Sequence, residues 1–288
     1  MTPHLPSLVS HDWLAARLGE PGLVVLDASY HLPAAARDAA AEFAAGHVPG
    51  ARFLDVASLF DAGSPVPYAF PTPDQIAQRL GSLGVAADDT IVVYDDSAIR
   101  TAARAWFVLS ASGRGQIAIL DGGLAKWRAE GHPLERGAPA VAPTPTPATA
   151  LAQPRKVRSK ADMLANLANG AEQVVDARAA ERVFGTGTDP VNGLPMGRIP
   201  GSANLPYTEL FNADGTYKSP DDLRAAFAAA GIDLSRPVTA TCGSGVTASV
   251  LLFALDLLGQ HDHALYDGSW SEWGADPATP KAQGPAAP

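Results

Sequence analysis

Short apolar runs alternate with longer amphipathic stretches along almost the whole chain. The runs are 23–26 (Leu-Val-Val-Leu), 91–94 (Ile-Val-Val-Tyr), 117–120 (Ile-Ala-Ile-Leu), 173–175 (Gln-Val-Val) and 238–241 (Val-Thr-Ala-Thr). The first three are apolar at successive rather than alternate positions, as a strand covered on both faces of a parallel sheet must be, and the last two are read as similar strands. Between them, 73–83, 101–110, 159–167, 220–230 and 246–258 have helical composition. Two of these stretches open on Pro-Asp, at Pro73-Asp74 and Pro220-Asp221. Proline pre-sets the first helical φ, and the acid meets the positive end of the helix dipole. Alternating strands and helices predict an α/β fold, each sheet mainly parallel and flanked by helices.

The pattern occurs twice. Asp27 and Asp176, Pro49 and Pro200, Pro73 and Pro220, and Trp127 and Trp273 recur in the same order, 149, 151, 147 and 146 residues apart. The local contexts agree: Val24-Val25-Leu26-Asp27 with Val174-Val175-Asp176, and Gly46-His47-Val48-Pro49-Gly50 with Gly197-Arg198-Ile199-Pro200-Gly201. Asp121-Gly122-Gly123 likewise matches Asp267-Gly268-Ser269. A period this long is a whole domain, not a solenoid unit. Alternating prolines at 142–147 favour an extended connector. The predicted organisation is an N-terminal domain over 1–138, a proline-rich linker over 139–155 and a C-terminal domain over 156–288. The total length of 288 residues suits two domains of roughly 150 residues each.

Composition removes several function classes. The net charge is −9 with no basic run, which argues against nucleic-acid binding. Residues 1–14 lack a basic leader region and contain Pro3, Pro6, His11 and Asp12, and the most apolar stretch, 250–258, carries Asp256. Neither a signal peptide nor a membrane span is expected, and the expected location is the cytoplasm. The seven histidines show no metal-ligand spacing. One cysteine, Cys242, can form neither an intrachain disulfide nor a Cys-rich zinc site.

Context changes what that cysteine signifies. A strand ends at Cys242, Gly243-Ser244-Gly245-Val246-Thr247 follow, and a helix begins. This places the thiol at the carboxyl end of a parallel strand, where open α/β sheets bind ligands. Two glycines let the loop curl so that backbone N–H groups converge, and the helix adds its positive end. Such surroundings lower a thiol pKa from about 8.5, and the thiolate is the nucleophile. Cysteine phosphatases need an arginine six residues on; that position is Ala248. No histidine lies in the loop to support acyl transfer. A small polarizable anion on the cysteine, such as a persulfide, fits N–H donors with little charge.

Residues 242–248, the two Gly-x-Ile/Val-Pro-Gly segments and Tyr266-Asp267-Gly268-Ser269-Trp270-Ser271-Glu272-Trp273 resemble the tandem rhodanese family. The loop is similar to that of its 3-mercaptopyruvate sulfurtransferases. The resemblance implies two rhodanese-like domains in tandem and a sulfurtransferase without metal or organic cofactor. Cys242 would carry the sulfur, with Gly243, Gly245, Val246 and Thr247 lining the donor. Arg182 matches the first of the family's two carboxylate-binding arginines, whereas Val191 stands at the second. Arg198 replaces a common histidine, and a turn-stabilising role is expected of it. Ser244 matches a serine proposed to polarise the donor; here it is a lone hydrogen-bond donor or a loop-shaping residue. The His and Asp that some members pair with it correspond to Tyr68 and Ala57.

The first-half loop reads Asp95-Asp96-Ser97-Ala98-Ile99-Arg100-Thr101. It has no thiol and its two acids repel anions, so the N-terminal domain is expected to be catalytically silent. His47 reads as a turn residue. Asp27 and Asp176 read as loop caps or partners of a nearby arginine such as Arg178. Trp127 and Trp273 read as core, and Trp270 as core or pocket wall. The donor reading is 3-mercaptopyruvate, with a thiol, cyanide or thioredoxin as acceptor and a monomeric protein. Thiosulfate as donor, and a non-catalytic persulfide carrier or sensor, are the alternatives.

Overall fold

The computed structural model describes residues 5–144 and 156–284, so most of the proline-rich connector lies outside the described residues. Two compact units result. Unit 1 comprises Met1–Asp61, Phe70–Gln153 and Asn212–Tyr217, and unit 2 comprises Ala62–Ala69, Pro154–Phe211 and Lys218–Pro288.

Unit 1 holds β1 (Leu8–Val9), β2 (Leu23–Asp27), β3 (Arg52–Phe53), β4 (Thr90–Tyr94) and β5 (Ile117–Leu120), in the order β1-β5-β4-β2-β3. Unit 2 holds β6 (Val157–Arg158), β7 (Gln173–Asp176), β8 (Ala203–Asn204), β9 (Val238–Thr241) and β10 (His263–Tyr266), in the order β6-β10-β9-β7-β8. Every strand pairing in both sheets is parallel, and the two orders are the same permutation. The duplication read from the landmarks is therefore a duplication of topology. In each sheet the direction of winding reverses between the second and fourth strands, β2 and β4 or β7 and β9. Their carboxyl ends flank the crevice where such sheets bind ligands.

The helices are α1 (His11–Ala15), α2 (Ala39–Ala45), α3 (Pro73–Ser82), α4 (Ala102–Ala111) and α5 (Gly123–Ala129) in unit 1. Unit 2 has α6 (Lys160–Asn169), α7 (Ala180–Phe184), α8 (Pro220–Ala229), α9 (Ala248–Leu257) and α10 (Ser269–Trp273). Local sequence sets their starts. Thr72 and Gln75 form a capping box ahead of Pro73, and Ser159 and Asp162 form one at α6. Ser219 caps α8, with Pro220 in the first turn.

The helices that follow the fourth strand of each unit, α4 and α9, are apolar nearly all round. They are accordingly buried along almost their whole length. Arg104 is the exception in α4; its buried guanidinium lies 5.5 Å from the Phe70 ring and 5.9 Å from Phe60.

On the opposite face, Trp127 and Trp273 anchor equivalent cores. Each is fully buried, and each indole N–H donates 2.8 Å to a proline carbonyl, Pro133 or Pro280. Their reading as core holds in both copies. His47 and Arg198 also occupy matching turns. His47 stacks on Phe43 at 3.9 Å and Arg198 lies 4.9 Å over Phe184. Both backbone amides are bridged, to Glu135 and Ala282. Arg198 thus stabilises its turn as the sequence predicts.

Phe227 in α8 is fully buried. Replacing Phe227 by Ala removes its packing and leaves a cavity, which should cost about 3–5 kcal/mol. Denaturant unfolding measures this; a cost near zero would show that α8 does not carry the core of unit 2.

Candidate active site

β9 is buried at every position, and its last residue, Thr241, delivers the chain to Cys242. Cys242 is 2% exposed. The loop turns back at Gly245, whose φ of +75° is the left-handed conformation that glycine adopts without strain. The Ser244 amide is directed at Cys242 Sγ, 3.5 Å away. Thr247 has already entered helical geometry, and α9 presents its N-terminal turn to the same loop.

The sequence predicts loop amides converging to cradle an anion at the cysteine; two of them instead converge on a hydroxyl, and the Ser244 amide is the one directed at Sγ. Cys242 N and Gly245 N both donate to Ser269 Oγ, each at 3.1 Å. That hydroxyl in turn donates to the Tyr266 carbonyl at 2.9 Å. The next residues clamp the outer side of the loop. Trp270 N donates to Cys242 O at 3.0 Å, and Ser271 donates to Gly243 O from its amide (2.9 Å) and its hydroxyl (2.6 Å).

Two guanidinium groups and two carboxylates flank the loop from the end of β7. Asp176 Oδ1 accepts the Arg178 amide, and its carboxylate holds the Arg178 side chain, with Nη2 to Oδ2 at 2.7 Å. Arg178 also donates to Gly197 O and lies 4.6 Å over the Trp270 ring. It is completely buried. Burial opposes its charge, but Asp176, Asp189 and the negative charge of a Cys242 thiolate together raise its pKa above the ordinary arginine value. Its Nη1 makes no hydrogen bond and stands 3.6 Å from Asp189 Oδ2.

Arg182, on α7, is held by the same buried Asp189 through Nε (2.9 and 3.0 Å) and Nη2 (2.9 Å). Its Nη2 passes beside the cysteine loop, 3.5 Å from where a Cβ on Gly243 would stand. Asp189 therefore takes one edge of the Arg182 fork and fixes its plane beside the loop.

The structure thus brings together Cys242, Gly243, Ser244, Gly245 and Arg182. Val246 is buried in the loop wall, and the Thr247 side chain makes no capping bond. Trp270 is a buried platform under Arg178. Val191 is exposed, at 53%, two residues beyond Asp189. Ala57 offers only its amide, to Asp55 at 3.0 Å, and Tyr68 is half-buried with a φ of +61°.

Sequence reasoning passed over three residues. Arg178 was read only as a partner of Asp176, a pairing the structure contains. Asp189 had no motif around it. Ser269 did carry a signal, because the repeat aligns it with Gly123.

The first-half loop shows what the same frame does without a thiol. Asp95 follows β4 as Cys242 follows β9, and Leu124 N donates to Asp95 O at 3.0 Å as Trp270 N does to Cys242 O. The Asp95 carboxylate accepts the amides of Ser97 (3.3 Å) and Ala102 (2.5 Å). Asp96 is paired with Arg37 and Arg128.

A paired α/β frame, with one cysteine at the switch point of one sheet, defines the class. The rhodanese-like domain family matches residues 10–130 and 159–276, and the chain belongs to that family. It is 40% identical over 274 residues to the 3-mercaptopyruvate sulfurtransferase of Rattus norvegicus, covering 93% of this chain and 91% of that one. The 3-mercaptopyruvate sulfurtransferase of Escherichia coli K12 is 39% identical over 268 residues, covering 93% and 94%. The thiosulfate sulfurtransferase of Bos taurus is also 39% identical, over 287 residues and 96% of each chain. The crystal structure of SseA from Escherichia coli, described in terms of the rhodanese fold of 3-mercaptopyruvate sulfotransferases, superposes with a TM-score of 0.83. It shares 37% identity and covers 92% of this chain and 98% of its own.

Burial pushes the Asp95 carboxyl up to about 6, against the opposing amide of Ala102. An unfolded aspartate titrates near pH 3.9. The folded state therefore binds the proton more tightly, and the associated stability is present below about pH 4 and lost as pH rises through about 6. Between those values the Tm of the parent should fall relative to that of Asp95→Asn. A Tm difference independent of pH would remove Asp95 as the titrating group.

Proposed function

We propose that this chain is a sulfurtransferase in which Cys242 takes a sulfur from 3-mercaptopyruvate and passes it to a thiol or to cyanide. The observation that carries this reading is the chain's one cysteine in an amide-rich loop with Arg182 alongside. The Cys242 thiolate attacks the donor sulfur, and an S–S bond forms as the donor's C–S bond breaks. The electron pair goes to the methylene carbon as the enolate of pyruvate, and the proton from the donor thiol ends on the methyl group. The product is pyruvate and a Cys242 persulfide. An acceptor nucleophile then takes the outer sulfur and regenerates the thiolate, a ping-pong cycle.

The geometry supports a role for each residue. The Ser244 amide, aimed at Sγ, supplies a donor to the reacting sulfur. Arg182 presents the edge not held by Asp189 to the donor's carboxylate. Gly243 and Gly245 keep the loop close to the thiol, and Val246 and Thr247 close its helix side. Ser244 acts through hydrogen bonding alone, since Ala57 and Tyr68 supply no imidazole–carboxylate pair. The reading invokes no metal or organic cofactor. The reading includes a monomer in the cytoplasm, with a small thiol or reduced thioredoxin as acceptor. Among the described residues no helix is long and apolar enough to cross a membrane.

Thiosulfate is the second reading, favoured by one observation. Val191, exposed beside the Arg182–Asp189 pair, offers a carboxylate-bearing donor no second cation.

After incubation with 3-mercaptopyruvate, intact-mass measurement should show one added sulfur on the parent and none on Cys242→Ser. An unmodified parent with either donor would sink the proposal. Arg182→Met should raise the KM for 3-mercaptopyruvate about tenfold or more, by loss of a charge-assisted contact. Steady-state kcat/KM for both donors decides between them; a higher value with thiosulfate overturns the first choice.

A further inference from the structure

We infer that Ser269 is the positioning residue that shapes the Cys242 loop for sulfur transfer. The inference rests on the reading of Cys242 as the sulfur carrier. A serine hydroxyl has one donor and two acceptor sites. At Ser269 the donor is committed to the Tyr266 carbonyl (2.9 Å), and the acceptors take Cys242 N and Gly245 N (3.1 Å each). Thr241 Oγ1 lies alongside at a longer 3.4 Å. The proton of Ser269 is thus engaged within the protein, so its action is on loop shape and not on the proton balance of the reaction.

Two independent features mark the position. Ser269 has a φ of +50°, a region that side chains other than glycine enter only with strain. The equivalent residue in the first half is Gly123, with a φ of +58°. This position thus has a positive φ in both halves, yet one half adds a hydroxyl at the cost of strain. The half that adds it is the half with the thiol. In the first half the Asp95 carboxylate gathers the loop amides of Ser97 and Ala102. In the second half the equivalent of Ser97, Ser244, turns its amide to Cys242 Sγ in the same way, and Ser269 holds a different pair, Cys242 N and Gly245 N. Pinning Cys242 N and Gly245 N from below leaves the Ser244 amide facing Sγ at 3.5 Å.

The test compares Ser269→Gly and Ser269→Ala with the parent. Glycine suits the positive φ, so Ser269→Gly should match or exceed the parent in Tm. Its pH profile for Cys242 alkylation by iodoacetamide should move upward by about one unit as the loop amide loses its aim. The kcat for sulfur transfer should fall about tenfold with the donor KM little changed. Ser269→Ala keeps the strain without the hydroxyl, so it should show the same chemical changes with a lower Tm. An alkylation profile in Ser269→Gly that stays in place or moves downward overturns the inference. Alkylation reads the thiol whether or not a sulfur is ever transferred. A parent that forms no persulfide therefore counts against the sulfurtransferase reading, while the alkylation comparison still judges Ser269.

Discussion

The carboxyl end of a strand buried in a parallel sheet obliges the chain to satisfy several backbone amides at once, with little water to help. Each buried N–H needs an acceptor, and leaving one unmade costs more than making it gains. The two halves of this chain contain two such acceptors, each serving a different pair of amides: Ser97 and Ala102 in the first half, Cys242 and Gly245 in the second. After β4, the acceptor is the Asp95 carboxylate, supplied by the loop itself. After β9, the acceptor is the Ser269 hydroxyl, supplied from the next strand–helix junction. Position 242 carries a thiol that receives the Ser244 amide where Asp95 receives that of Ser97, and Ser269 holds two further amides of the loop.

Charge follows the same division. Asp27 caps the loop after β2 by accepting the Ser29 amide at 2.9 Å, and Asp176 caps the loop after β7 by accepting the Arg178 amide at 3.0 Å. The cap is common to both halves, but a serine stands in one and a buried arginine in the other. The Ser29 hydroxyl accepts the Asp96 amide, an uncharged local bond. Arg178 instead brings a fixed positive charge, paired with two carboxylates and stacked on Trp270, to a site that on the proposed reading develops negative charge on sulfur. A guanidinium suits this placement because it stays ionised when buried. The second unit therefore combines three substitutions that work together: thiol for carboxylate, serine for glycine and arginine for serine.

Much of this was legible in the sequence, for identifiable reasons. The central strands β2, β4, β5, β7 and β9 are covered on both faces, so their apolar runs stand out. The capped helices α3, α6 and α8 announce their starts. The edge strands β1, β3, β6 and β8 are two residues each and leave no periodic trace. β10 opens on the buried His263, which hides it among polar neighbours. The cysteine loop was readable because strand, glycines and helix are contiguous. Asp189 was not, because its partners Arg178 and Arg182 reach it through space across a loop without a motif. Ser269 was readable only as a departure from its own repeat. A comparison that seeks what the repeats share passes over the position where they differ.

The chain has a single cysteine, and it is buried. On the proposed reading, this sets the lifetime of the loaded state. In a protein with a neighbouring thiol, a persulfide is discharged internally as a disulfide closes. Here no second thiol exists to close one, so the outer sulfur leaves only when another molecule reaches it. The loaded protein then behaves as a store whose release rate is set by the concentration of the acceptor and by how readily its nucleophile reaches a buried sulfur.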